Sequence, residues 1–184
     1  NQISENTLIC SPVAGLEIET INQYVKNRII RIMPNLLIRD NNGLIPFVKN
    51  YDGDYLNFID VALSSLGNTE EFEEELFALI TAISGSGPAW FYELSNQLVN
   101  SATKLGMNEK DATNLIKGLI KALPNLINEE ETFDELVNKV KSPKGTTEAG
   151  LNSLNVDYFD KIIFNAIQQA TNRSIEISTE LKNE

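Results

Sequence analysis

Ser142-Pro143-Lys144-Gly145-Thr146-Thr147-Glu148-Ala149-Gly150-Leu151 follows an amphipathic run, Phe133 to Val140, that reads as a helix. Ser142-Pro143 breaks that helix, because proline disfavours the α region for the residue before it. Gly145 frees the backbone to turn. Thr146 and Thr147 are natural caps for a new helix starting near Glu148. A helix start presents unpaired N–H groups and the positive end of the dipole, which suits an anion. Two hydroxyls beside it suit a small polar substrate. Two readings stay open: a substrate-binding turn, or a plain corner between helices whose threonines only cap. The pattern alone favours the plainer one.

Working outward, the neighbours are also helical. A long helix spans Asp157 to Leu181, with Phe159, Ile162, Ile163, Ala166, Ile167, Ala170 and Ile177 apolar. On the other side, Thr132-x-x-Glu135 has the form of a capping box for the 133–140 helix. Asn108 opens a helix that Pro124 kinks or ends. Another runs over 87–105 and closes at Gly106, and Pro88 fits its first turn. Ser84-Gly85-Ser86-Gly87-Pro88 is a turn or hinge.

Before residue 70 the character differs. Thr7 to Cys10 is a short apolar run, 16–26 suits a short helix, and Arg28 to Met33 is a strand rich in branched residues. Asp40 to Gly43 marks a turn. Leu44 to Val48 is a further strand, placed at a sheet edge by Pro46. Asp54 starts a helix containing Leu56, Ile59, Val61, Leu63 and Leu66, stopped by Gly67. Phe72 to Glu75 reads as a last short strand. The expected class is mainly α: a partial α/β segment followed by an all-α segment. The helical part has wide apolar faces, which suit either a bundle or packing against another copy of the chain; apolar surface beyond one core's needs would imply dimerisation.

Composition removes several functions. Lys+Arg number 15 and Asp+Glu 26, a formal charge of −11, which argues against nucleic acid and anionic membrane surfaces. There is no histidine, so histidine triads, proton shuttles and metal ligands are excluded. The lone Cys10 has no partner for an internal disulfide or thiolate cluster, and a reducing, cytoplasmic setting is the simplest expectation. No metal is expected. No apolar run is long enough to cross a bilayer.

Four pieces then fall in one order: Arg31-Ile32-Met33-Pro34-Asn35, Ser84-Gly85-Ser86-Gly87-Pro88-Ala89, Ser142 to Thr147 with Ala149-Gly150-Leu151, and Arg173-Ser174. Together they make the chain resemble pyrroline-5-carboxylate reductase, over essentially its whole length. The resemblance implies a Rossmann-like remnant, the C-terminal part of a dinucleotide-binding domain without its G-x-G-x-x-G half, over residues 1–69. It implies a helical dimerisation and substrate-binding domain over 70–184. It implies reduction of 1-pyrroline-5-carboxylate to L-proline by NADP- or NAD-type cofactors, in a homodimer or higher homo-oligomer. In enzymes of this kind the site lies between one subunit's Rossmann domain and its partner's helical domain. By the same carry-over, Thr147 is catalytic, its hydroxyl beside the imine nitrogen. Ser142, Gly145, Thr146 and Thr147 bind substrate, and Pro88 and Asn35 border the cofactor. The chain starts with Asn1, and the reading takes it as part of a longer reductase. A second reading is a non-catalytic oligomerisation module, a decayed relative. Against the family pattern, Leu36 and Leu37 replace Thr-Pro and Lys144 replaces a glycine. Glu148 replaces an apolar residue; it either faces solvent or repels a bound carboxylate.

Overall fold

The computed structural model describes residues 3–41, 43–52, 59–127 and 130–183. By its contacts the chain forms two compact units, 1–89 with 165–184, and 90–164.

In the first unit, strand β1 (Leu8–Ser11) leads through a short helix α1 (Ile18–Asn22) to β2 (Arg28–Ile32). β1 and β2 pair in parallel, as a β-α-β unit requires. β3 (Leu44–Lys49) runs antiparallel to β2, and β4 (Asn68–Glu71) runs parallel to β3, so the sheet order follows the chain. Period-two alternation buries both faces of β2. Ile30 and Ile32 pack with Ile45, Phe47 and Leu63 on one side. Ile29 and Met33 pack with Ile18, Val48 and Phe77 on the other.

Two expectations need correcting. β3 lies inside the sheet, between β2 and β4, although it contains Pro46. Pro46 is tolerated because it stands beyond the end of β2. Its carbonyl accepts from the Met33 N–H at 2.9 Å, and only one returning donor is missing at a ladder end. The last strand is Asn68–Glu71, four residues before the expected 72–75. Residues 74–76 form a 3-10 turn instead. The sequence of β4 is polar, and it is held by pairing with β3 rather than by propensity. Asp54 and Leu56 of the expected helix, and Asn42 of the expected turn, lie outside the described residues. Ile59–Leu63 forms a π-helical turn.

Next come α2 (Phe77–Ile80), a π-helical turn at Thr81–Gly85, and α3 (Gly87–Lys104). The glycine-rich 84–88 stretch is therefore part of a nearly continuous helical path. The unit is completed from the far end of the chain, by the later part of α7 (Phe159–Lys182). Gly15 has a φ of +81°, and a Cβ there would stand 2.5 Å from Ile177 Cγ2. Lys182 pairs with Glu17 at 2.8 Å.

The second unit is helical, as expected. It contains most of α3, α4 (Glu109–Ala122), a 3-10 turn at Leu123–Leu126 that carries Pro124, α5 (Phe133–Val140) and α6 (Thr146–Val156). Asn108 caps α4, accepting from the Lys110 N–H at 2.9 Å. Both arms of the Thr132–Glu135 capping box are formed. Among its described residues, Ala112 is the one buried hydrophobic side chain. Phe91 (73% exposed), Leu115 (60%), Leu119, Phe133 and Ile162 all face outward. An apolar surface of this extent marks an interaction face. Among the described residues no helix is long and apolar enough to cross a membrane.

Candidate functional site

The turn between α5 and α6 brings together Ser142, Gly145, Thr146 and Thr147. Val140 ends α5, and Lys141, two residues before Pro143, already adopts an extended conformation. The chain reverses through Lys144, which has a φ of +59°, a left-handed conformation that costs a side-chain-bearing residue roughly 1–2 kcal/mol. The Gly145 N–H donates to the Ser142 carbonyl at 3.0 Å, closing the turn. A Cβ on Gly145 would collide with Ser142 Oγ and stand 3.0 Å from the Ser142 carbonyl, so glycine eases the packing of this turn and is not needed for φ.

α6 begins at Thr146, two residues before the expected Glu148, and its N-cap is Gly145. The threonines are the first two helical residues, and no side chain caps at this end. The first intrahelical bond is from the Ala149 N–H to the Gly145 carbonyl at 3.1 Å. The N–H groups of Thr146, Thr147 and Glu148 are thus those that a helix leaves without an internal acceptor. Thr146 and Ser142 are exposed and Thr147 is half-buried. Glu148 is half-buried and does not simply face solvent. Its carboxylate turns back over the turn, accepting from the Lys144 N–H at 2.7 Å and pairing with Lys141 Nζ at 3.5 Å. The Lys144 N–H, and then Lys141, hold this carboxyl below its ordinary range.

Asn35 and Pro88 lie in the other unit, at the end of β2 and the start of α3. The Asn35 amide is fully engaged. Its Nδ2 donates to the Ser84 carbonyl at 3.1 Å and Ser84 Oγ at 3.3 Å, and its Oδ1 accepts from the Leu37 N–H at 2.9 Å. Asn35 therefore ties the loop after β2 to the π-helical turn. Pro88, without an N–H, fits the helix start, and Leu36 and Leu37 are exposed.

Sequence reasoning missed Arg31. In an alternating strand it falls on the face of Ile29 and Met33, and it is only 2% exposed. It pairs with Glu74 at 2.5 Å, and its guanidinium lies 4.5 Å from the centre of the Phe77 ring. The signal was present: a charge at period two among isoleucines.

A family model described as pyrroline-5-carboxylate reductase dimerisation matches residues 74–177. The chain is 33% identical over 181 residues to the pyrroline-5-carboxylate reductase of Staphylococcus haemolyticus, covering 96% of this chain and 67% of the relative. To the Staphylococcus saprophyticus enzyme it is 30% identical over 183 residues, covering 97% and 68%. It is also similar to the crystal structure of the Plasmodium falciparum pyrroline carboxylate reductase with NADP bound. There the TM-score is 0.83 at 26% identity, over 94% of this chain and 71% of that one. The Coxiella burnetii reductase gives a TM-score of 0.84 at 27% identity, over 93% and 66%. The expected class stands: a small α/β part followed by a helical dimerisation domain that supports homo-oligomerisation. With a family model over more than half its length and a relative 33% identical that it covers to 67%, this chain belongs to the pyrroline-5-carboxylate reductase family.

Proposed function

We propose that the protein reduces 1-pyrroline-5-carboxylate to L-proline, working with NADP or NAD as a cytoplasmic homodimer or higher homo-oligomer. In this reading residues 1–69 are the end of the dinucleotide-binding domain, and 70–184 are the helical dimerisation and substrate-binding domain. The substrate set is Ser142, Gly145, Thr146 and Thr147, with Thr147 catalytic. The cofactor set is Asn35 and Pro88.

The observation that carries the reading is the start of α6. Free N–H groups at Thr146 and Thr147, at the positive end of an 11-residue helix, suit a substrate carboxylate. The Thr147 hydroxyl has no hydrogen-bond partner among the described residues. It is thus available to donate to the ring nitrogen as that atom gains charge density and to steady the proton arriving there. Gly145 and Ser142 fix the turn that presents these groups. The Lys144 side chain adds positive charge on the same turn.

The residues at Asn35 and Pro88 fit the ring end of a dinucleotide. The proline ring and two exposed leucines are apolar, and the Asn35 amide is spent on holding their loop. When bound, a reduced nicotinamide supplies the hydride for the imine carbon. The chain's own part is to hold the reactants in register, which can supply a large share of such a rate gain.

Thr147→Val tests this. The expected result is a fall in kcat/KM for 1-pyrroline-5-carboxylate of roughly a hundredfold, largely restored in Thr147→Ser, with NADPH binding unchanged. Full turnover in Thr147→Val overturns the assignment.

A further inference from the structure

We infer that Arg31 is a positioning residue for the cofactor set, a role that rests on the assignment of Asn35 and Pro88 above. Arg31 occupies the β2 face otherwise built from Ile29, Met33, Val48 and Phe77. A buried charge there is a poor device for stability. Its Nε and the far carboxylate oxygen of Glu74, Oε2, are both buried without a hydrogen-bond partner. Burying polar atoms unsatisfied costs free energy, and a well-packed apolar pair often does as well or better.

What the pair does have is geometry. It joins the middle of β2 to the segment that opens the 74–88 path. Glu74 is held through its carboxylate and Phe77, fully buried, by its ring. Four residues after Arg31, Asn35 grips Ser84 in the π-helical turn of that same path. Met33 lies between, and a Cβ on Gly85 would stand 3.6 Å from its Sδ. β2 and the 74–88 segment are therefore fastened at both ends. Rotation or sliding of 74–88 along β2 would move Pro88 relative to Asn35. A π-helical turn, which often occurs at functional sites, interrupts this segment at Thr81–Gly85. Within this fastening Arg31 contributes both an ion pair to Glu74 and a cation–π contact with Phe77. In effect it sets where Pro88 stands.

The test is a variant that removes both charges without leaving either buried alone, Arg31→Met with Glu74→Gln, beside Arg31→Lys and Asn35→Ala. The readouts are steady-state kinetics with NADPH and 1-pyrroline-5-carboxylate, and amide hydrogen exchange. For the double variant, kcat is expected to fall roughly ten- to a hundredfold with KM for 1-pyrroline-5-carboxylate unchanged. Exchange at amides 81–89 is expected to rise at least about tenfold, while amides of β2 and β3 keep their protection. Arg31→Lys, which keeps the charge but not the forked guanidinium, should fall between, and it serves if the double variant does not fold. A folded variant with wild-type kcat and wild-type exchange at 81–89 overturns the inference. So does a uniform rise in exchange across the sheet, which would make Arg31 only a stabilising residue. If Asn35→Ala leaves kcat and NADPH binding intact, the cofactor assignment fails. That is separable from the role of Arg31, because the exchange response at 81–89 to the double variant does not depend on it.

Discussion

Glu148 accepts a hydrogen bond from the backbone N–H of Lys144 at 2.7 Å, across a turn whose left-handed residue is that same lysine. A residue that strains the turn and a residue that braces it stand four positions apart. Glu148→Ala is expected to lower the melting temperature. Lys144→Gly is expected to be neutral or to stabilise by up to about 1 kcal/mol, through relief of the positive φ. In the double variant the loss from Glu148→Ala should shrink. A thermal double-mutant cycle reads the coupling, and strictly additive effects would refute it.

The same carboxylate makes the turn acid-sensitive. Glu148 is held below its ordinary value of 4.5 by the Lys144 N–H, and Glu135 by the Thr132 N–H and hydroxyl. A lowered folded value means that the unfolded chain takes up the proton first. The stabilisation is then fully present above 4.5 and lost as pH falls through the lowered folded values. Melting curves from roughly pH 3 to 7 should flatten at the acid end in Glu148→Gln and Glu135→Gln. An unchanged acid slope in both variants counts against the linkage.

Gly145→Ala is expected to destabilise by roughly 1–3 kcal/mol, because the new methyl meets Ser142 Oγ. Ser142→Ala should recover part of the loss in the double variant. Recovery will be incomplete, since the Ser142 carbonyl would still stand 3.0 Å from that Cβ. Chemical denaturation of the three variants measures it.

Asn35→Ala removes two donor contacts to Ser84 and the acceptor for the Leu37 N–H. A loss of about 1 kcal/mol is expected, because the half-buried Ser84 groups lose their donor. Denaturation midpoints report it, and a loss too small to measure would mean that water replaces the amide at no cost.

Leu115 and Leu119 lie one helical turn apart on α4, both exposed. Glutamate at both should shift the protein toward monomer in sedimentation while the helical circular dichroism persists. An unchanged sedimentation coefficient would move the association face elsewhere on the helices.

The helices of the second unit were legible because their ends carry local chemistry. Asn108 and Thr132 cap where the pattern placed them, and Gly106, at a φ of +102°, closes α3. The sheet was less legible, because Asn68–Glu71 forms a strand only through its neighbour, and Pro46 is excused by a ladder that ends beside it. At the site, Ser142 to Thr147 could be found as a turn and a helix start. The roles of Glu148 and Arg31 could not, since each is defined by a partner that no spacing rule names: a main-chain N–H in one case, and Glu74, 43 residues away, in the other.

The return of α7 to the first unit has a consequence for biosynthesis. Gly15 waits for Ile177, and Glu17 for Lys182. During synthesis these strands are made before the helix that covers this part of them. That corner of the sheet therefore stays uncovered until α7 has followed.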